Sequence, residues 1–107
     1  MLAGIEVMDF RNYQRKKFEF EDGVNVIFGS NAAGKTNLLE GIYVLSTGES
    51  PRAGRTEEMI RFGQELGRIK GEVKTGEEVE ELEVVLSNGF VGGVRSLKKK
   101  YLINGVS

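Results

Sequence analysis

Residues 29–36, Gly29-Ser30-Asn31-Ala32-Ala33-Gly34-Lys35-Thr36, fit the pattern G-x-x-x-x-G-K-[ST] at every defined position. That pattern restricts the fold because it works in one setting only, with a strand leading into the loop and a helix leading out. Both flanks are present. Val24-Asn25-Val26-Ile27-Phe28 is nearly all apolar, as a strand covered on both faces should be. Beyond the loop, Leu38, Leu39, Ile42, Tyr43 and Leu45 predict the apolar stripe of a helix beginning near Lys35, and Gly48 stands where a C-terminal cap would end it.

The spacing carries a specific chemistry. Phosphate groups need a ring of backbone N–H donors, and bulky side chains would hold the backbone away from them. Gly29 and Gly34 allow turn conformations, while Ala32 and Ala33 add little bulk. Lys35 is expected to reach the β- and γ-phosphates, and the Thr36 hydroxyl to ligate Mg²⁺. The positive end of the following helix points at the same place. The plain alternative is a Gly-rich turn with a solvated lysine at a helix start; the two flanks favour the nucleotide site.

Composition narrows the chemistry further. The chain has 107 residues, long enough for one domain with a modest core. It contains no Cys and no His, which removes disulfides, thiolate or imidazole metal ligands, Ser-His triads and a histidine base. Fifteen Lys+Arg against sixteen Asp+Glu give a net charge of −1, so any nucleic-acid surface has to be a local patch. No apolar run approaches the roughly 18 residues of a membrane span, and the expected setting is a cytoplasm without membrane contact.

Alternation predicts a strand over 2–10, and Phe18-Glu19-Phe20 alternates again before the Asp22-Gly23 turn signal. Residues 49–55 read as irregular around Pro51, and Glu57 to Phe62 as a short second helix. A meander follows: Ile69, Gly71 and Val73 alternate before Thr75-Gly76, then Leu82, Val84 and Leu86 before Asn88-Gly89. A weaker strand near Tyr101–Ile103 ends at Asn104-Gly105. The fold class expected is α/β, with a mixed sheet and an antiparallel meander.

Several neighbours invite a role. Asn31 is placed to bond a γ-phosphate or to stabilise the turn of its own loop. Arg11-Asn12-Tyr13 leave the first strand and are expected to return over the nucleotide, Arg11 as a phosphate contact with Asn12 or Tyr13 beside the base; a loop arginine with a packed tyrosine is the alternative. Arg15-Lys16-Lys17 and Lys98-Lys99-Lys100 are basic steps that read as nucleic-acid contacts or as solvated strand ends. Glu77, Glu78, Glu80, Glu81 and Glu83 read as a solvated acidic face, and Gln64 as a surface glutamine. Asp9 resembles a Walker B carboxylate in its apolar context, but it precedes the loop on an expected edge strand and is set aside.

Phe10-Arg11-Asn12-Tyr13, residues 23–50, residues 57–63 (Glu-Glu-Met-Ile-Arg-Phe-Gly) and residues 101–106 (Tyr-Leu-Ile-Asn-Gly-Val) together resemble the N-terminal part of the RecF family. These are bacterial DNA-repair ATPases with an ABC-type head related to SMC-like proteins. The resemblance implies a P-loop NTPase fold, the N-terminal lobe of such a head. It implies that ATP is bound by Gly29, Ser30, Asn31, Ala32, Ala33, Gly34, Lys35, Thr36 and Asn37, approached by Arg11 and Asn12, with Mg²⁺ on Thr36. For the family it further implies ATP-driven homodimerisation, binding to gapped or junction DNA, and help in loading RecA together with RecR and RecO. Residues 48–52 depart from the usual form at Glu49, where the family carries a basic residue, whereas Arg52 matches. The magnesium-sensing loop, signature segment and Walker B carboxylates of the family are not recognised in these residues. The expectation is therefore a single lobe over 1–107, part of a longer chain, with no catalytic residues and no turnover by itself. A transporter-type ABC ATPase, another SMC-like head, and a truncated nucleotide-binding module are the competing readings.

Overall fold

The computed structural model describes residues 2–20 and 32–106, with residues 32–35 as backbone only. The strand expected over 24–28 and the Asp22-Gly23 turn lie outside the described residues. Among the described residues five strands form one sheet in the order β2-β1-β3-β4-β7: β1 is Leu2–Phe10, β2 Tyr13–Glu19, β3 Leu66–Thr75, β4 Glu78–Ser87 and β7 Lys99–Ile103. Every pairing in it is antiparallel. A two-stranded ribbon, β5 (Phe90–Val91) with β6 (Val94–Arg95), projects between β4 and β7. Among the described residues one α-helix, α1 (Ala32–Thr47), packs on the sheet.

Alternation decides which face meets the helix. Val7, Ile69 and Val84 stand side by side on neighbouring strands, as do Ile5 and Gly71 in the next row. With Phe10, Leu38, Val44, Met59, Ile60 and Leu86 they form the buried core. Close approach is purchased by glycine: a methyl at Gly41 would touch Ile5 and Val7 at 3.6 Å, and one at Gly71 would overlap Leu45 Cδ2. Gly48 ends the helix as expected, in the left-handed region (φ 82°), with its N–H donating to the Val44 carbonyl at 2.7 Å.

Four expectations need correction. Helix α1 begins at Ala32 rather than near Lys35, so Gly34 lies within the helix and not in a turn. Its inward stripe is Leu38, Gly41 and Val44, whereas Leu39 and Tyr43 are exposed, because the helix has apolar residues on two sides and only one side meets this sheet. The second helix is only a 3-10 turn, Thr56–Met59. Ile60 leaves that turn extended and bridges the end of β1, where Arg11 N–H donates to Met59 O (2.8 Å) and Arg61 N–H to Asp9 O (2.7 Å). Finally, β1 lies between β2 and β3 and is not an edge.

Candidate functional site

The end of β1, the first half of α1 and the loop 50–53 converge on one carboxylate. Glu40 sits on the inward side of α1 and is 2% exposed. Arg11 grips it with two charge-assisted bonds, Nε to Oε1 at 2.7 Å and Nη2 to Oε2 at 2.6 Å. Arg52 Nη2 donates to Oε1 at 2.9 Å, and Ser50 Oγ donates to Oε2 at 2.5 Å. Burial would push the Glu40 carboxyl up, but the bonds from Arg11, Arg52 and Ser50 outweigh it and hold the group at about 2. In return, the Glu40 hydrogen bond raises the Arg11 guanidinium above its ordinary value.

One turn earlier on the same helix face, buried Asn37 donates through Nδ2 to Asn12 Oδ1 at 3.0 Å and accepts from Arg52 Nη2. Asn37 and Glu40 thus lock the strand corner Arg11-Asn12 against the helix that begins within the 29–36 motif. Arg11 owes its direction to a left-handed backbone (φ 54°) flanked by left-handed Asp9 (φ 47°), which turns the chain out of β1. The loop side is fixed by Ser50, whose oxygen accepts from the N–H of Arg52 (3.1 Å) and of Ala53 (2.9 Å).

A cavity of about 660 Å³ opens on this corner. Arg11, Asn12 and Asn37 line one side, and Ile60, Arg61, Phe62 and Gln64 the other. Phe62 is fully exposed at its edge. Its volume falls within the range of small-molecule sites.

Of the residues singled out from sequence, Arg11, Asn12 and Asn37 are brought together. Thr36 lies exposed in the early part of α1. Gly29, Ser30 and Asn31 lie outside the described residues, and Ala32, Ala33, Gly34 and Lys35 are placed by backbone in the first turn of α1. Gln64 is a surface residue as expected, and it also borders the cavity. The acidic strand is exposed at Glu77, Glu78, Glu80 and Glu81, but Glu83 is buried and paired with Arg68 at 3.3 Å. Lys98 is held by Glu57 at 2.7 Å, which draws the Glu57 carboxyl down. Glu40 and Ser50 join the site without having been expected from the motif. Their signal was a carboxylate three residues after Asn37, on the helix side shared with Gly41 and Val44.

No helix among the described residues is long and apolar enough to cross a membrane. A sheet with one packed helix that begins within a phosphate-loop motif fits a P-loop lobe, and the AAA domain family matches residues 5–104. The chain belongs to that family. Its relatives include the DNA replication and repair protein RecF of Bacillus cereus (strain G9842), 43% identical over 80% of this chain and 23% of the relative. RecF of Bacillus thuringiensis (strain Al Hakam) is 42% identical over the same shares. A solved structure of the recombination mediator protein RecF-ATPrS in the RecFOR pathway matches with TM-score 0.82 and 34% identity, over 99% of this chain and 27% of that one. The RecF-ATP structure of the same pathway gives TM-score 0.80 and 34% identity, over 99% and 28%. The resemblance to the N-terminal part of RecF, and the P-loop α/β class, therefore stand. The chain spans about a quarter of the length of these relatives.

Proposed function

We propose that this chain is the ATP-binding lobe, spanning 1–107, of a RecF-type DNA replication and repair protein. The observation that carries the reading is the convergence at the start of α1: the motif runs into the helix at Ala32, and Glu40 and Asn37 hold Arg11 and Asn12 beside it. The similarity to structures of RecF-ATP and RecF-ATPrS supports ATP as the ligand. Backbone N–H groups of residues 29–34 and Lys35 hold the phosphates, Asn31 and Asn37 border them, and the cavity beside Arg11 and Asn12 receives the nucleoside.

Thr36 presents a hydroxyl on an exposed early position of α1, in a chain without Cys or His. An oxygen donor of this kind fits a hard cation such as Mg²⁺, which takes oxygen ligands and keeps much of its water. Bound there, Mg²⁺ would neutralise charge on the phosphates. In the whole protein, ATP drives two such heads together on gapped or junction DNA in the cytoplasm, where RecR and RecO assist RecA loading. Turnover needs carboxylates and a signature segment supplied from beyond this lobe.

The test is a calorimetric titration of the chain with Mg-ATP. Binding of roughly 10–100 µM is expected for half a site, and Lys35→Ala should abolish it while leaving the circular dichroism spectrum intact. Unchanged affinity in folded Lys35→Ala would overturn the assignment.

A further inference from the structure

The sheet face turned away from α1 has its charges sorted by row. Paired residues on neighbouring strands share a face, so the register stacks side chains into lines across the sheet. Arg15, Met8, Arg68, Val85 and Lys100 make one line. Lys17, Glu6, Lys70, Glu83 and Leu102 make the next, and Glu19, Gly4, Glu72 and Glu81 the one after. Formal charge thus runs from three cations, through a balanced line, to three carboxylates.

We infer that the Arg15–Arg68–Lys100 line is a docking strip for the sugar–phosphate backbone of a nucleic-acid duplex lying across the strands. The inference rests on the RecF-type reading for its choice of DNA, and on the rows for its location. Strand order puts the three cations on alternate strands, roughly 9–10 Å apart and about 19 Å from end to end. Arg15 (72% exposed) leans back to Glu6 at 2.8 Å, and Arg68 (46% exposed) to Glu83 at 3.3 Å. Arg15 lies largely in water and holds Glu6 weakly, so its guanidinium can turn to phosphate. Arg68 keeps one N–H on the buried Glu83 and, being half exposed, has further N–H donors for phosphate. Lys100 has no carboxylate within ion-pair distance among the described residues.

The geometry of the polyanion decides the occupant. A planar anionic membrane would meet all three lines at once, and their charges cancel. A rod laid along the first line meets cations alone, and the line of Glu19, Glu72 and Glu81 keeps it from sliding toward the other end. The strip also lies at the end of β1 that leads to Arg11, which sets DNA beside the ATP corner.

The experiment measures binding of the chain to a labelled 20-base-pair duplex between 50 and 200 mM NaCl. Replacing three phosphate contacts in Arg15→Gln/Arg68→Gln/Lys100→Gln should flatten the salt slope by about 2.7, a loss of about 40-fold in salt sensitivity over that interval. Glu19→Gln/Glu72→Gln/Glu81→Gln should tighten binding, and Mg-ATP affinity should stay unchanged in both. An unchanged slope in the first variant would overturn the strip. So would a wild-type chain that ignores duplex at 50 mM NaCl yet binds Mg-ATP, a result that leaves the ATP assignment standing. Loss of binding to phosphatidylglycerol vesicles with duplex binding intact would replace DNA by a membrane.

Discussion

Helix α1 turns two very different sides to its surroundings. Toward β1 it presents Asn37, Glu40, Gly41 and Val44, all buried; away from the sheet it presents Leu39 (55% exposed) and Tyr43 (48% exposed). A hydrophobicity rule alone would not put Asn37 and Glu40 inside while Leu39 and Tyr43 stay outside. The inward side wins its polar residues because the groups waiting there are polar too: two arginines, a serine hydroxyl and an asparagine amide. A buried carboxylate is tolerable only when its lone pairs are satisfied, and Glu40 accepts four bonds. The difference teaches that this helix is held at its phosphate-loop end by an ionic clasp and further along by shape. The outward apolar side contributes to neither within the described residues.

Breaking the clasp should have the largest effect. Glu40→Ala leaves two guanidinium groups facing a cavity, a change that costs 3–5 kcal/mol in fully buried pairs. Arg11 and Arg52 keep some water, with 22% and 39% of their side chains exposed, so about 3 kcal/mol is expected in urea unfolding at pH 7. The same interaction has a pH signature. The folded state favours the carboxylate, lowering it from 4.5 to about 2, so its contribution is complete above pH 4.5 and gone below about 2. The stability gap between wild type and Glu40→Gln should therefore close as pH falls through that window. A gap that stays constant down to pH 2 would mean that the clasp is not ionic.

The shape-held part should respond to volume and not to charge. Gly67 packs against the turn out of β1, where an added methyl would lie 2.8 Å from the Asp9 carbonyl oxygen. Backbone cannot step aside as a side chain can, and Asp9 O already accepts from Arg61 N–H at 2.7 Å. Gly67→Ala should cost roughly 1–3 kcal/mol and weaken Mg-ATP binding, because the displaced segment carries Arg11. Gly71→Ala, by contrast, meets the flexible end of Leu45 and should be milder. Equal losses at the two glycines would show that the corner has no special rigidity.

How legible all this was depends on range along the chain. Local alternation places β1, β3 and β4 correctly, and Thr75-Gly76 marks its hairpin, with Gly76 at φ 63°. The ribbon Phe90–Val91/Val94–Arg95 is too short for alternation to mark, although Gly92-Gly93, both left-handed at φ 59° and 80°, is a strong two-residue hairpin signal. What spacing could not supply was partnership between distant segments. β1 reads as an edge until residues 66–75 pair with it, and Glu40 has no visible partner until Arg11, 29 residues earlier, closes on it. Arg11 and Asn12 stand out where the chain leaves the first strand, and the RecF resemblance marks them as well; the carboxylate that aims Arg11 stands inside a run read for its apolar stripe.

The smallest expected effect tests the outward side. Leu39→Gln and Tyr43→Gln exchange exposed apolar groups for a residue of good or comparable helix propensity, so each should change the stability of this chain by no more than about 0.5 kcal/mol. Leu39 and Tyr43, with Ile42 and Pro51, line a mostly apolar groove of about 420 Å³. If either substitution costs 2 kcal/mol or more, the groove is covered in the folded chain, and the two sides of α1 are both buried. The contrast between clasp and outward face then becomes one between ionic and apolar burial. A null result in unfolding leaves the contrast as drawn, because a side chain already in water has little hydrophobic stabilisation to lose.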